Sequence, residues 1–399
     1  MRRRQVCLLA LVATLGTVTA ACTMDTPATQ PSMVPLIDPA KLPIATPAPP
    51  TSAVLLSDSA VPLIGAVPDG ECAFSDAIDG GEVTFVVGDH LIGASVDGIT
   101  LRCLAALTTA QRSPARWSPI ANRVLLGNDT IIDITGTRPA RFDPAGPRAE
   151  WEYPNGDNLI APSASGFTVT RRAALDTSQQ SDVTFLASTT QVISHPSGQL
   201  LIAVGTARDR SRGIFIASPQ GQTMRPVLLL RTAKVNIADV AADPAGDSLY
   251  FVDSSGSNFR VRRLTLTDLS VADIATVQGP AQQLTPGVEP GSVAWRAGLC
   301  NSIAETYALD SQSAKPVLVG TRPPMKGKSI SPVGWLDASR LVVIARPIGC
   351  DGPGDIWIWN KADTSATLLV QNVAYPSIRL LHTPAAAPNI DIGAQPLRL

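Results

Sequence analysis

The sequence predicts an all-β chain folded as a β-propeller, with seven blades as the count and six or eight as the neighbouring options. Three observations lead there. Gly 30 and Pro 34 in 399 residues make about one residue in six a chain breaker, a density that suits many short strands better than long helices. Alternating apolar runs follow short polar turns again and again, as in Leu200-Leu201-Ile202-Ala203-Val204 after Ser194-His195-Pro196-Ser197-Gly198. Those turns recur at a long, steady interval: the five steps from Trp117 to Trp335 average about 44 residues, the length of a four-stranded blade. The alternative, a pair of β-sandwiches, would place turns every 8–12 residues or so.

Composition narrows the class. With 45% hydrophobic and 16% charged residues the chain is neither disordered nor a coiled coil, and it lacks the apolar spans of a multi-span membrane protein. Lys plus Arg number 32 against 33 Asp plus Glu, so bulk charge does not draw the chain to nucleic acid.

Read from the start, residues 1–21 form an export signal. Arg2, Arg3 and Arg4 are its positive region and Val6 to Val18 its apolar core, too short for a bilayer crossing of about 20 residues. Thr19-Ala20-Ala21 before Cys22 resembles a bacterial lipobox, with Thr19 where Leu is usual. The resemblance implies that Cys22 carries diacylglycerol and a further acyl chain, enough for stable anchoring at the extracytoplasmic face of the cell membrane. The other reading is an ordinary signal cleaved after Ala21, with Cys22 left as a spare thiol.

Residues 22–53 are the lipidated Cys and a tether rich in Pro, Thr and Ala. Pro27, Pro31, Pro35, Pro39, Pro43 and Pro47 stand at every fourth position, which blocks helix and favours a semi-rigid polyproline II spacer. Residues 54–399 form the propeller domain. Its anchors begin with Phe74-Ser75-Asp76 and Trp117-Ser118-Pro119, and continue through Trp151-Glu152-Tyr153-Pro154 and Ser194-His195-Pro196. Ala242-Asp243-Pro244, Val293-Ala294-Trp295 and Gly334-Trp335-Leu336-Asp337 complete seven. A partial eighth, Ala374 to Leu381, is too short for a blade and is expected to lend a strand to the first blade and lock the ring. Alternatively, Ala53 to Val67 completes the last blade from the N-terminal side.

Trp117-Ser118-Pro119 with Arg123-Val124-Leu125, and later Asp355-Ile356-Trp357-Ile358-Trp359, resembles the TolB-like, WD40-like propeller repeat. The likeness covers about residues 70 to 381, although the Asp-Gly that should follow Trp117-Ser118-Pro119 is missing. It implies a propeller in the cell envelope. Trp357 and Trp359 share one strand face and are expected to pack between blades.

Once Cys7 leaves with the signal and Cys22 carries lipid, Cys72, Cys103, Cys300 and Cys350 remain. An even set in an oxidising compartment predicts two disulfides. Three connectivities exist, and sequence proximity favours Cys72–Cys103 and Cys300–Cys350, each worth roughly 3–4 kcal/mol by chain entropy. A four-cysteine metal site lacks any CxxC spacing.

Catalytic signatures are sparse. His90, His195 and His382 lie over a hundred residues apart and form no zinc motif. Gly93-Ala94-Ser95-Val96-Asp97-Gly98 misses the nucleophile-elbow spacing by one residue. His195, in an anchor turn, is the candidate channel or ligand residue, weighed against a turn histidine bonded to backbone. Asp76, Asp79, Asp243 and Asp247 read as turn caps. Arg208, Arg210, Arg212, Arg260, Arg262 and Arg263 read as charged strand edges or as a basic patch. No catalytic residue, metal or cofactor is called for. The expected function is a monomeric, membrane-tethered, non-catalytic interaction module with a protein partner in the envelope. A small-ligand sensor, and an envelope lyase or glycan hydrolase using channel carboxylates, are the alternatives.

Overall fold

The computed structural model describes residues 62–64, 72, 81–127, 130–133, 140–142, 149–163, 168–176, 179–184, 187–207, 209–219, 225–230, 235–255, 258–310, 313, 315–390 and 396–398. The export signal, Cys22, the tether, Phe74 to Asp76, Asp79 and Arg208 lie outside the described residues.

Alternation of apolar and polar residues builds strands almost throughout. They are β1 (Glu82–Val87), β2 (His90–Ser95) and β3 (Leu101–Ala106), then β4 (Arg116–Trp117), β5 (Arg123–Leu126), β6 (Thr130–Asp133) and β7 (Ala140–Phe142). The next group is β8 (Glu150–Trp151), β9 (Asn158–Pro162), β10 (Thr168–Ala173) and β11 (Gln180–Thr184). It is followed by β12 (Ala187–Ser194), β13 (Leu201–Ala207), β14 (Arg212–Ala217) and β15 (Arg225–Leu230). Then come β16 (Val235–Ala242), β17 (Ser248–Ser255), β18 (Asn258–Thr265) and β19 (Val271–Gln278). After them run β20 (Ala281–Pro286), β21 (Val293–Ala297), β22 (Glu305–Leu309) and β23 (Val317–Leu318). The last are β24 (Ser329–Trp335), β25 (Arg340–Arg346), β26 (Gly354–Asn360), the 14-residue β27 (Ala366–Arg379) and β28 (Leu397–Arg398). The one described helical turn is a 3-10 segment at Thr109–Gln111.

Each group of four is an antiparallel meander, and the arrangement is an all-β propeller of small sheets. Seven separate blades are not what the hydrogen bonds delimit. Among the described residues five sheets stand alone, four of them four-stranded and one extended to five strands by β28, and the sixth has seven strands in the order β24-β25-β26-β27-β1-β2-β3. The reason is β27. Its first half pairs with β26, Trp359 opposite Ala366, while its second half pairs with β1, Glu82 opposite Arg379. Left-handed residues at Asn372 and Tyr375 turn the strand between the two partners. The chain's late segment therefore lends a strand to its first sheet, as the Ala374–Leu381 copy suggested. The N-terminal segment joins at the same seam, where the amides of Leu63 and Ile64 donate to Leu368 and Leu369.

Cores lie between neighbouring sheets because alternate residues of each strand point to opposite faces. In β17, Leu249 and Phe251 pack on Ile202, Val204 and Ile214 of the preceding sheet. Tyr250 and Val252 pack the other way, on Trp295 and Tyr307 of the following one. Trp357 and Trp359 are buried with Trp335, Leu341 and Ala294, between two sheets as expected. Full burial of each such Leu or Phe stabilises the stack by about 1.5–3 kcal/mol.

Candidate functional site

The anchor turns are the first place to look, since the sequence repeats them. In five of them, and in the β20–β21 turn that precedes the Val293-Ala294-Trp295 anchor, which itself lies in the second strand β21, a backbone amide closes the loop between first and second strands. Ser118 donates to Arg123, Glu152 to Asn158, His195 to Leu200, Asp243 to Ser248, Gly287 to Ser292 and Leu336 to Arg340, all at 2.8–2.9 Å. Their side chains then reach a neighbouring sheet, the tryptophans the preceding one and Asp243 the following one. Trp117 Nε1 donates to Thr84 Oγ1 at 3.0 Å, Trp151 Nε1 to the Arg116 carbonyl at 2.8 Å and Trp335 Nε1 to the Thr285 carbonyl at 3.1 Å. Asp243 Oδ2 accepts the Gly291 amide and the Tyr250 hydroxyl, both at 2.9 Å. The repeat thus encodes a belt of sheet-to-sheet bonds.

His195 belongs to this belt. Its Nε2 lies 2.8 Å from the Gly246 carbonyl, which only accepts, so Nε2 carries the proton. Nδ1 then accepts from the Ser197 hydroxyl at 2.9 Å and from the Ser197 amide at 3.2 Å. Both nitrogens of this fully buried ring are engaged within the protein, which is the turn-histidine arrangement and not that of a residue open to a ligand. Gly246 has φ +81, and a Cβ there would stand 2.7 Å from the His195 ring, so glycine permits the contact. Burial pushes the imidazole below its ordinary value of 6.5. The unfolded chain then binds the proton more readily, so stability is full above about pH 6.5 and declines as pH falls toward the folded pKa. Melting at pH 7.5 and pH 5 should show a smaller acid-induced drop for His195→Gln than for the wild type; equal drops would refute this role.

Buried carboxylates are committed in the same way. Glu82 lies between Arg102 and Arg379 at 2.8 and 2.9 Å, Glu152 faces Arg171 at 2.8 Å, and Asp133 faces Arg123 at 3.2 Å. Asp253 pairs with Arg262 at 3.0 Å, and Arg262 also meets Asp273 at 2.7 Å. Arg262 is therefore a buried structural cation and not part of a free basic patch.

Inner-strand bulges form a further chain of contacts. Registers slip between Thr189 and Gln191, between Ile237 and Asp239, and between Gln282 and Thr285. Asp239, turned out by its bulge, accepts the Leu284 amide of the next sheet at 2.9 Å and lies 3.5 Å from Gln191 of the preceding one. Burial pushes its carboxyl above the usual range. A cavity of about 20 Å3 beside Thr190, Gly205 and Asn236 has room for one water.

The opposite end of the sheets is built differently. Cys300 and Cys350 are joined, linking the β21–β22 loop to the β25–β26 loop. Ser329 Oγ donates to the Gly349 carbonyl at 2.7 Å and accepts the Ala304 amide at 3.2 Å, which fixes both loops over β24. The staple leaves Leu299, Ile303 and Ile348 54%, 51% and 61% exposed. Arg296 and Arg346 are buried at the ends of the two strands that lead into these loops. Cys72 and Cys103 form the second disulfide, as sequence proximity favoured. His90 stands beside it and meets Asp89 at 2.8 Å. Oxidised sulfurs are not thiolates, so the cluster is no metal site. Sequence reading passed over the loop end, although Arg-x-x-x-Cys occurs there twice, at Arg296–Cys300 and Arg346–Cys350.

The class these features define is an all-β propeller stitched by its repeat turns. Among solved structures it is similar to a puromycin hydrolase variant complexed with PGG, with TM-score 0.52 and 13% identity over 79% of this chain and 57% of that one. It is also similar to TolB from Acinetobacter baumannii, with TM-score 0.42 and 13% identity over 75% of this chain and 66% of that one. For a putative TolB from Agrobacterium tumefaciens the values are 0.43 and 9%, over 75% of this chain and 97% of that one. This chain spans little more than half of the puromycin hydrolase, and the likeness is one of fold. No protein-family model and no curated protein matches the sequence.

Proposed function

We propose that this chain is a monomeric lipoprotein held at the extracytoplasmic face of the cell membrane through Cys22, and that its propeller is a non-catalytic module binding an envelope protein. The observation that carries the reading is the exposed trio Leu299, Ile303 and Ile348 on two loops locked together by Cys300–Cys350. Loops on a rigid scaffold are where propellers present specificity, and clustered exposed apolar side chains mark contact surfaces. Two disulfides agree with an oxidising compartment. Seven blades follow if the seven-stranded sheet is counted as two four-stranded blades sharing β27, a count supported by the split pairing of that strand.

The test is affinity capture from solubilised envelope with the full chain and with its Leu299→Ser/Ile303→Ser/Ile348→Ser variant. A partner bound by the wild type is expected to be lost from the variant, whose melting temperature should stay within about 2 °C because the replaced side chains face solvent. Retention of every partner by the variant would count against the loop end. Anchoring has its own readout: Cys22→Ala should move the protein from the membrane to the soluble fraction, and unchanged sedimentation would exclude the lipid.

A further inference from the structure

Two arginines at the stapled end are handled unlike Arg379, the fully buried cation where β1 meets β27. Arg379, fully buried, is matched on all sides: Nη1 meets Glu82 at 2.9 Å, Nε donates to the Ala121 carbonyl at 2.9 Å, and the guanidinium lies 4.5 Å from the Trp117 ring. Arg296 and Arg346 are 4% and 7% exposed, yet Arg296 Nε and Arg346 Nη1 have no hydrogen-bond partner among the described residues. Arg346 Nε donates to the Gly352 carbonyl at 2.9 Å and so is held in place while Nη1 stays open. Burying a guanidinium with unmatched N–H groups is costly, and a fold that satisfies Arg379 so fully has no structural need for such a pair.

The surroundings say what is missing. Both arginines feel the carboxylate of Asp351, and Arg346 also feels the repulsion of Arg296. Asp351, Gly352 and Pro353 are exposed, so the pair lies just beneath the surface. Two fixed guanidinium charges against one carboxylate leave a local charge of about +1. Each arginine stands four residues before a cysteine of the same disulfide, so Cys300–Cys350 holds both strand ends to one register.

We propose that Arg296 and Arg346 form a binding site for a singly charged carboxylate at the disulfide-stapled end of the propeller. The planar fork of arginine matches a carboxylate's two oxygens, and one negative charge completes the local balance. The site does not depend on the partner reading above, because a free carboxylate would occupy it whether or not a protein docks over the loops.

The experiment is thermal melting and calorimetric titration of the disulfide-intact protein at pH 7 and constant ionic strength, exchanging chloride for acetate or for inorganic phosphate. Acetate should raise the melting temperature saturably, while chloride does not. Arg296→Gln and Arg346→Gln should each abolish the rise. Asp351→Asn, a change at an exposed position, should tighten acetate binding about two- to fivefold by removing a competing charge. If the arginine variants do not fold, Asp351→Asn alone decides, since an unaltered acetate affinity overturns the proposal. Equal melting in acetate, phosphate and chloride overturns it as well. Stabilisation by phosphate alone would overturn the carboxylate assignment.

Discussion

Arg379→Met is expected to lose about 3–5 kcal/mol of unfolding free energy, the range for breaking a buried ion pair from one side. The substitution leaves Glu82 fully buried with only the half-buried Arg102 as counter-ion, at 2.8 Å. It also frees the Ala121 carbonyl, which accepts from Arg379 Nε at 2.9 Å, and strips the cation from the Trp117 ring. The site matters because Glu82 and Arg379 sit opposite each other where β1 meets β27, so the pair joins the first described strand to the late strand that closes on it. Thr84 reinforces the same seam, 2.7 Å from the Ser377 hydroxyl and accepting from Trp117 of the next sheet. The double variant Glu82→Gln/Arg379→Met should recover part of the loss, because removing both charges abolishes the uncompensated one. Urea denaturation measures both. A single variant within about 1 kcal/mol of the wild type would mean that the seam is not what holds the ring shut.

The second large effect is expected at Cys300 and Cys350. Their 50-residue separation gives a chain-entropy stabilisation of about 4 kcal/mol, so the Cys300→Ser/Cys350→Ser variant should unfold at markedly lower denaturant. Loss should be local as well as global. With the staple gone, amide exchange around Cys300 and Gly349 should accelerate before that of β21 or β25, since the Gly349 amide reaches Ser302 only at 3.4 Å. Alkylation of the exported protein without reductant, followed by intact-mass measurement, checks both pairs directly. Four free thiols would refute them.

What the sequence disclosed follows from what local pattern can carry. The period near 44 residues, the anchor turns and the shared face of Trp357 and Trp359 are properties of single strands and turns, and each is legible from spacing. Cysteine pairing was narrowed by compartment and proximity, because both bonds close short spans. Partner choice was not legible. His195 needs the Gly246 carbonyl 51 residues away, and only the folded arrangement of sheets brings the two together. The strand lent to the first sheet was legible as the Ala374–Leu381 copy, but not its continuity with the strand paired to β26: β27 changes partner near Asn372 and Tyr375, and that join, which merges two sheets into one of seven strands, leaves no mark in an alternating pattern. The arginine pair was hidden because Arg296 and Arg346 sit at strand ends, where a charged residue ordinarily reads as solvated.

Photo-crosslinking in the envelope tests the central claim most directly. A crosslinking residue placed at Ile348, on the stapled loops, is compared with one at Val288, in the β20–β21 turn at the other end of the sheets; the native side chains there are 61% and 45% exposed. If the stapled end is the working surface, a discrete adduct forms from position 348 and none from position 288. Adducts of equal yield from both positions, or from 288 alone, would contradict it.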